Sequence, residues 1–158
     1  MDEIIFRRAA AADLPVIVTM LADDPLGRGR ESVSDLTPYE SAFRDIDGDD
    51  KELLLVAEQA GRVVGTAQVT FLAGLSRRGA MRGQIEAVRV ASGVRGGGLG
   101  TRLIEECIRR AHERGCVLVQ LTSDATRTDA HRFYERLGFE PTHTGFKMPL
   151  PGDTSQHP

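Results

Sequence analysis

The run Val94-Arg95-Gly96-Gly97-Gly98-Leu99-Gly100-Thr101 sets glycines and an arginine where a strand gives way to a helix. Glycines have no Cβ, so the backbone there can take positive φ and approach a ligand closely. The first amides of the helix that follows have no partner within it, and with the helix dipole they attract an anion. Arg95 adds a fixed positive charge beside them. Two phosphate loops are excluded. A triphosphate-binding loop ends in Gly-Lys-Ser/Thr, whereas Gly100 is followed by Thr101-Arg102. A dinucleotide fingerprint needs G-x-G-x-x-G after the first strand of a doubly wound sheet, and here the spacing and the place in the chain are both wrong. Taken alone, the loop reads as an anion site or as a tight turn.

Other reactive side chains offer less. Cys107 and Cys116 are too few for a disulfide framework, lack metal-ligand spacing, and read as buried thiols. Ser123-Asp124 with His131 has no nucleophile-elbow context. His112, His143 and His157 lack partners at metal spacing, so no metal is expected. Arg77, Arg78 and Arg82 read first as a solvated loop.

These groups need elements to hold them. Ile4 to Arg8 reads as a strand, and Leu14, Ile17, Val18 and Leu21 recur at helical spacing. Asp24 to Arg30 breaks that helix, and Thr37-Pro38 opens a second one that runs to about Asp47. Leu53 to Glu58 and Val63 to Leu72 form a hairpin through Gln59-Ala60-Gly61-Arg62. Gln84 to Val90 is a strand, Leu99 to Glu113 a helix, Cys116 to Thr122 a strand and Thr128 to Leu137 a helix. Phe146 to Leu150 is expected as a last strand and residues 151–158 as a disordered tail. The order predicts a mixed α+β domain, residues 1–150, with helices on both faces of its sheet.

At 158 residues, 41% hydrophobic and 27% charged, the chain is the size and composition of one globular domain. Its first residues carry acid where a leader carries base, and no apolar run reaches the length of a membrane span. A cytoplasmic location is therefore expected, with neither membrane nor nucleic acid as partner. The net charge of −3 hides an acidic first part, residues 1–60, and a basic remainder. That division suits an anionic cofactor and a cationic substrate.

Arg95-Gly96-Gly97-Gly98-Leu99-Gly100 resembles the R/Q-x-x-G-x-G/A signature of the GNAT family of N-acetyltransferases. Ala130-His131-Arg132-Phe133-Tyr134-Glu135-Arg136-Leu137-Gly138-Phe139 resembles that family's A-x-x-F-Y-x-x-x-G-F block. The resemblance implies an acyl-CoA N-acyltransferase fold: a mostly antiparallel twisted sheet whose middle parallel strands, Ile85 to Val90 and Val117 to Thr122, splay around acetyl-CoA. It places the pyrophosphate on Arg95, Gly96, Gly97, Gly98, Leu99, Gly100 and Thr101. Unpaired amides around Val88, Arg89 and Val90 would bind the pantetheine arm and the thioester carbonyl, with a bulge in that strand re-aiming them. Where many relatives have Asn, this chain has Arg127, and Asp124, Arg127 or Asp129 is expected to stand in for it.

The activity so implied is acetyl transfer from acetyl-CoA to a primary amine of a small molecule or peptide within a ternary complex. Glu86 is the candidate general base and Tyr134 the candidate acid for the departing thiolate. Asp23, Asp24, Glu31, Asp35, Glu40 and Asp45 lie where relatives shape the acceptor site, which predicts a cationic acceptor. The rival is a non-catalytic acyl-CoA sensor or scaffold with the same loop, and homodimers are common among relatives.

Overall fold

Leu53-Leu54-Leu55-Val56-Ala57 is an unbroken apolar run, the pattern of a strand covered on both faces, and it lies at the heart of the fold. The computed structural model describes residues 3–152. Its strands are β1 (Ile4–Arg8), β2 (Glu52–Gln59), β3 (Arg62–Leu72), β4 (Arg82–Val90) and β5 (Leu118–Leu121). Its helices are α1 (Leu14–Ala22), α2 (Thr37–Asp47), the single turn α3 (Ser76–Gly79), α4 (Leu99–Glu113) and α5 (Thr128–Arg136). The sheet runs β1-β2-β3-β4-β5. All neighbours are antiparallel except β4 and β5, which are parallel.

β2 sorts its side chains by parity. Leu53, Leu55 and Ala57 face a core completed by Leu99, Leu103, Ile104, Cys107 and Ala111 of α4. Leu54 and Val56 face the opposite side, where Ile17 and Met20 of α1 cover them and Phe43 and Ile46 of α2 pack at the edge. The β2–β3 turn holds Ala60 at φ 51° and Gly61 at φ 77°, the paired positive values of a type I′ hairpin. Gly83 lets α4 close on the sheet, since a Cβ there would lie 3.1 Å from that of Ala111 and 3.3 Å from Cγ1 of Val119.

α4 spans the residues its periodicity predicts, and the expected bulge in β4 is present. Thr66 pairs with Arg89 and Gln68 with Glu86, so Ala87 and Val88 together oppose Ala67. Ala87 sits at φ 53°. One expected element is missing. Residues 146–150 form no strand because they join no ladder within the chain, and so the parallel pair stands at the edge of the sheet and not in its middle. Residues 153–158, most of the expected tail, and His157 with them, lie outside the described residues.

Candidate active site

Parallel pairing of β4 with β5 stops at Ile85↔Leu121, while β4 continues to Val90 along β3. From Glu86 onward one edge of β4 is therefore open. The Ala91 amide donates to the Val64 carbonyl at 2.8 Å, so strand alternation turns the amides of Val90 and Val88 toward the open edge. Their carbonyls agree: that of Val90 accepts from Arg95 Nε at 3.2 Å and that of Val88 from Arg89 Nη1 at 2.9 Å.

The glycine loop lies directly beyond. Gly96 and Gly98 take φ 86° and 81°, and α4 begins without a side-chain cap. Its first amides thus face outward as an anion site requires. Beside them is a cleft of about 330 Å³ lined by Asp23, Asp24, Pro25, Arg28, Val88, Arg89, Val90, Arg95 and Arg127. Its arginines outnumber its aspartates, which favours an anionic guest.

The two aspartates are engaged by the protein itself. Arg95 Nη2 bonds Oδ2 of Asp23 at 3.1 Å. Asp24 Oδ2 lies 3.0 Å from Arg89 Nε, with both side chains more than four-fifths buried; the two atoms are shielded from solvent but aligned too poorly for a hydrogen bond. Burial pushes the Asp24 carboxyl up, yet the Gly27 amide and the Arg89 charge outweigh it and hold the group below its usual range. That amide donates to Asp24 Oδ1 at 2.6 Å. Only glycine fits there, since a Cβ would come within 1.9 Å of the Leu21 carbonyl oxygen. Burial pulls Arg89 below its ordinary value, with Asp24 opposing.

Glu86 stands on a second polar feature that sequence reasoning missed. Gln68 pairs with Glu86, Glu52 and Gln84 both pair with Thr70, and Gln84 pairs with Gln120. These residues share the face that α1 and α2 cover only in part. Glu52 Oε2 accepts from Gln68 Nε2 at 3.0 Å and from Thr70 Oγ1 at 2.9 Å, and Gln120 Nε2 donates to Gln84 Oε1 at 2.8 Å. Glu86 is exposed at its tip, yet enough protein surrounds it to raise its pKa, chiefly by desolvation and then by the charge of Glu52, with Lys147 opposing. The signal available in the sequence was polar residues interrupting two apolar strands at positions that turn out to be paired.

Tyr134 packs between Phe133 and Phe139, at centroid distances of 5.2 Å and 5.9 Å. Desolvation raises its pKa, while Arg127 and Arg89 pull it down. Of the three groups expected to replace the family Asn, only Arg127 lines the cleft. Asp124 is taken up by the Thr126 amide at 2.9 Å, and Asp129 is almost wholly exposed. His131 Nε2 donates to the Asp124 carbonyl at 2.8 Å, so no Ser-His-Asp triad forms. Burial pushes the Cys107 thiol up to about 12, leaving it protonated and inert. Among the described residues no cluster could hold a metal ion and no helix is long and apolar enough to cross a membrane.

Residues 18–139 match the acetyltransferase (GNAT) family, a stretch that takes in both motifs, the parting of β4 from β5 and the cleft. The chain belongs to the GNAT family. A solved structure described as a transcriptional regulator from Bacillus halodurans shares 45% identity at a TM-score of 0.90, over 94% of this chain and all of that one. A glucosamine 6-phosphate N-acetyltransferase of Trypanosoma brucei brucei is 33% identical over 93 residues, 59% of this chain and 61% of that protein. An aminoalkylphosphonate N-acetyltransferase of Salmonella typhimurium is 34% identical over 68 residues, 43% of this chain and 44% of that protein. The chain thus spans about half the length of the curated GNAT relatives it matches.

Proposed function

We propose that this GNAT chain transfers the acetyl group of acetyl-CoA to a primary amine of a small-molecule or peptide acceptor, residues 1–150 acting as one cytoplasmic transferase domain. The observation that carries this reading is the open edge of β4 beside an uncapped helix start, a set of free backbone donors leading from a thioester position to a pyrophosphate position.

The pyrophosphate rests on the amides from Gly96 to Thr101 with Arg95 beside them. The pantetheine arm pairs with Val88 and Val90 as a strand would, and Arg89 and Arg127 close the cleft around it. Glu86 takes a proton from the amine, directly or through a water. The nitrogen attacks the thioester carbon, and an amide of the Val88 to Val90 segment donates to the oxyanion, a contact worth about 3 kcal/mol in comparable sites. As the C–S bond breaks, Tyr134 gives its proton to the sulfur.

The acceptor is cationic, and the carboxylates that receive it are Glu86 and Glu52. Asp23 and Asp24 are engaged by Arg95 and Arg89 and instead shape the floor of the cofactor cleft. Thiol release from acetyl-CoA against a panel of amines, with Tyr134→Phe and Gly98→Asp as controls, tests the reading. Turnover on cationic amines that falls in Tyr134→Phe, with acetyl-CoA binding lost in Gly98→Asp, supports it. Normal binding in Gly98→Asp overturns the cofactor site, and preference for anionic amines overturns the acceptor assignment.

A second reading, an acyl-CoA sensor without turnover, draws support from the Bacillus halodurans relative described as a transcriptional regulator. Binding of acetyl-CoA with no thiol release on any amine selects it.

A further inference from the structure

Arg127 occupies a position at which an arginine works against the fold. It is the N-cap of α5, makes no side-chain bond to the helix amides, and sets a cation at the end of the helix where the dipole is already positive. Asparagine, aspartate or serine there would cap those amides. Nor does a partner account for the charge. Among the described residues no carboxylate forms an ion pair with Arg127, whereas Asp24 holds Arg89 at 3.0 Å and Asp23 holds Arg95 at 3.1 Å. What Arg127 does have is a place on the cleft wall beside Val88, Arg89 and Val90.

We propose that Arg127 is a positioning residue for Tyr134, its free guanidinium steadying the phenolate that remains once Tyr134 has given its proton to the departing sulfur. Seven positions, almost two turns, separate the two residues, so they share one side of α5. Helical side chains lean toward the N-terminus, which carries the phenol back toward Arg127. The ring itself is held between Phe133 and Phe139. The charged groups that face it are Arg127 of α5 and Arg89 of β4, and both favour the phenolate. Cys107 of α4 opposes it only when ionised, and burial keeps that thiol protonated. Behind Arg89 stand Arg30 and Asp24, the latter close enough to cancel much of the Arg89 field. Arg127 is left as the charge that nothing offsets.

In the transfer reaction proposed above, on which this role rests, the C–S bond breaks with its electron pair passing to sulfur. The Tyr134 proton follows, and coenzyme A leaves as the thiol. Tyr134 is then an anion in a partly dry site, where a charge without a counter-charge is costly. Arg127 supplies that counter-charge at the step that needs it. The phenolate regains a proton from solvent before the next turnover, matching the proton that the amine lost to Glu86.

Phenolate absorbance against pH reads this coupling in the full-length chain, which has two tyrosines and no tryptophan. The difference between each protein and its Tyr134→Phe counterpart isolates Tyr134. Arg127 favours the charged form, so Arg127→Asn is expected to move the Tyr134 midpoint to higher pH, and Arg127→Lys to hold it near the wild-type value. With an amine and saturating acetyl-CoA, the plateau kcat of Arg127→Asn is expected to fall while the basic limb of its pH profile moves up. The fall is smaller than in Tyr134→Phe, where a lost acid costs about 10²- to 10⁴-fold. In the Tyr134→Phe background the same substitution is expected to change kcat by about twofold or less. Its urea midpoint is expected to hold or rise, since asparagine caps the helix. A Tyr134 midpoint that stays or falls overturns the proposal. So do additive losses, which would assign Arg127 to the cofactor alone, and a lowered urea midpoint, which would make it a structural residue. Should the chain unfold before Tyr134 titrates, the kinetic cycle decides. Absence of thiol release on every amine would strike the transfer reaction itself, and the titration, which needs no acceptor, then decides whether Arg127 acts on Tyr134.

Discussion

Under α4 the sheet is dry: Leu55, Ile85, Leu103, Ile104 and Cys107 have no exposure. On the opposite face it is dry only where α1 and α2 cover Leu54 and Val56, and beyond them lies a polar band in which Gln68 and Thr70 bond Glu52, Gln120 bonds Gln84, and Glu86 stands opposite Gln68. The same strands build both surfaces, because parity sends alternate residues to opposite sides. One face stores stability, and the other is free to carry charge where a substrate can reach it.

Substitutions on the two faces are expected to separate these uses. The largest effect falls on Glu86→Gln, with kcat/KM down about 10²- to 10⁴-fold, the range for a lost general base, and stability within about 0.5 kcal/mol. Steady-state kinetics beside a urea melt reads both, and activity retained within twofold removes Glu86 from the chemistry. Ile104→Ala is expected to do the reverse, costing about 2–5 kcal/mol of stability through the cavity it leaves. Its KM for acetyl-CoA stays at the wild-type value while the protein is folded; a large change in that KM at full folding would merge the two faces.

Asp24→Asn deprives the shielded Arg89 of its counter-charge and is expected to cost about 1–3 kcal/mol, with the acceptor KM unmoved. A raised KM for a cationic amine would return Asp24 to the acceptor site. The finest test is Glu52→Gln. Desolvation and the Glu52 charge both raise the Glu86 pKa, so a base that must be deprotonated works only above that raised value. Removing the second carboxylate lowers it, and the acid limb of the kcat/KM profile is expected to move to lower pH. An unmoved or upward-moving limb breaks the coupling.

Local signals in the sequence reached far on one side of the site. The α4 helix was legible from its apolar spacing, the hairpin from its glycine turn, and the irregular loop that opens α4 from its glycines, because each depends on neighbours a few residues away. Pairings across the chain were not. Asp23 and Asp24 read as substrate ligands until Arg95 and Arg89, more than sixty residues on, took them up. Glu52 and Gln68 were invisible as a pair because only the register of β2 with β3 brings them together. Phe146 to Leu150 has the alternation of a strand yet joins no ladder, because alternation by itself supplies no partner edge.

The bulge at Ala87 has a consequence for how such a site can change over time. Glu86 and Arg89 are an odd number of positions apart, and only the extra residue between them sets both on the face that looks toward Asp24 and Glu52. Deleting Ala87 alone would alter no chemical group in the cleft, yet it would turn every side chain on one flank of the strand through the sheet. The site is thus intolerant of a change in length at position 87, and the φ of 53° there also narrows the residue type to those that take left-handed backbone, glycine and asparagine before any β-branched side chain.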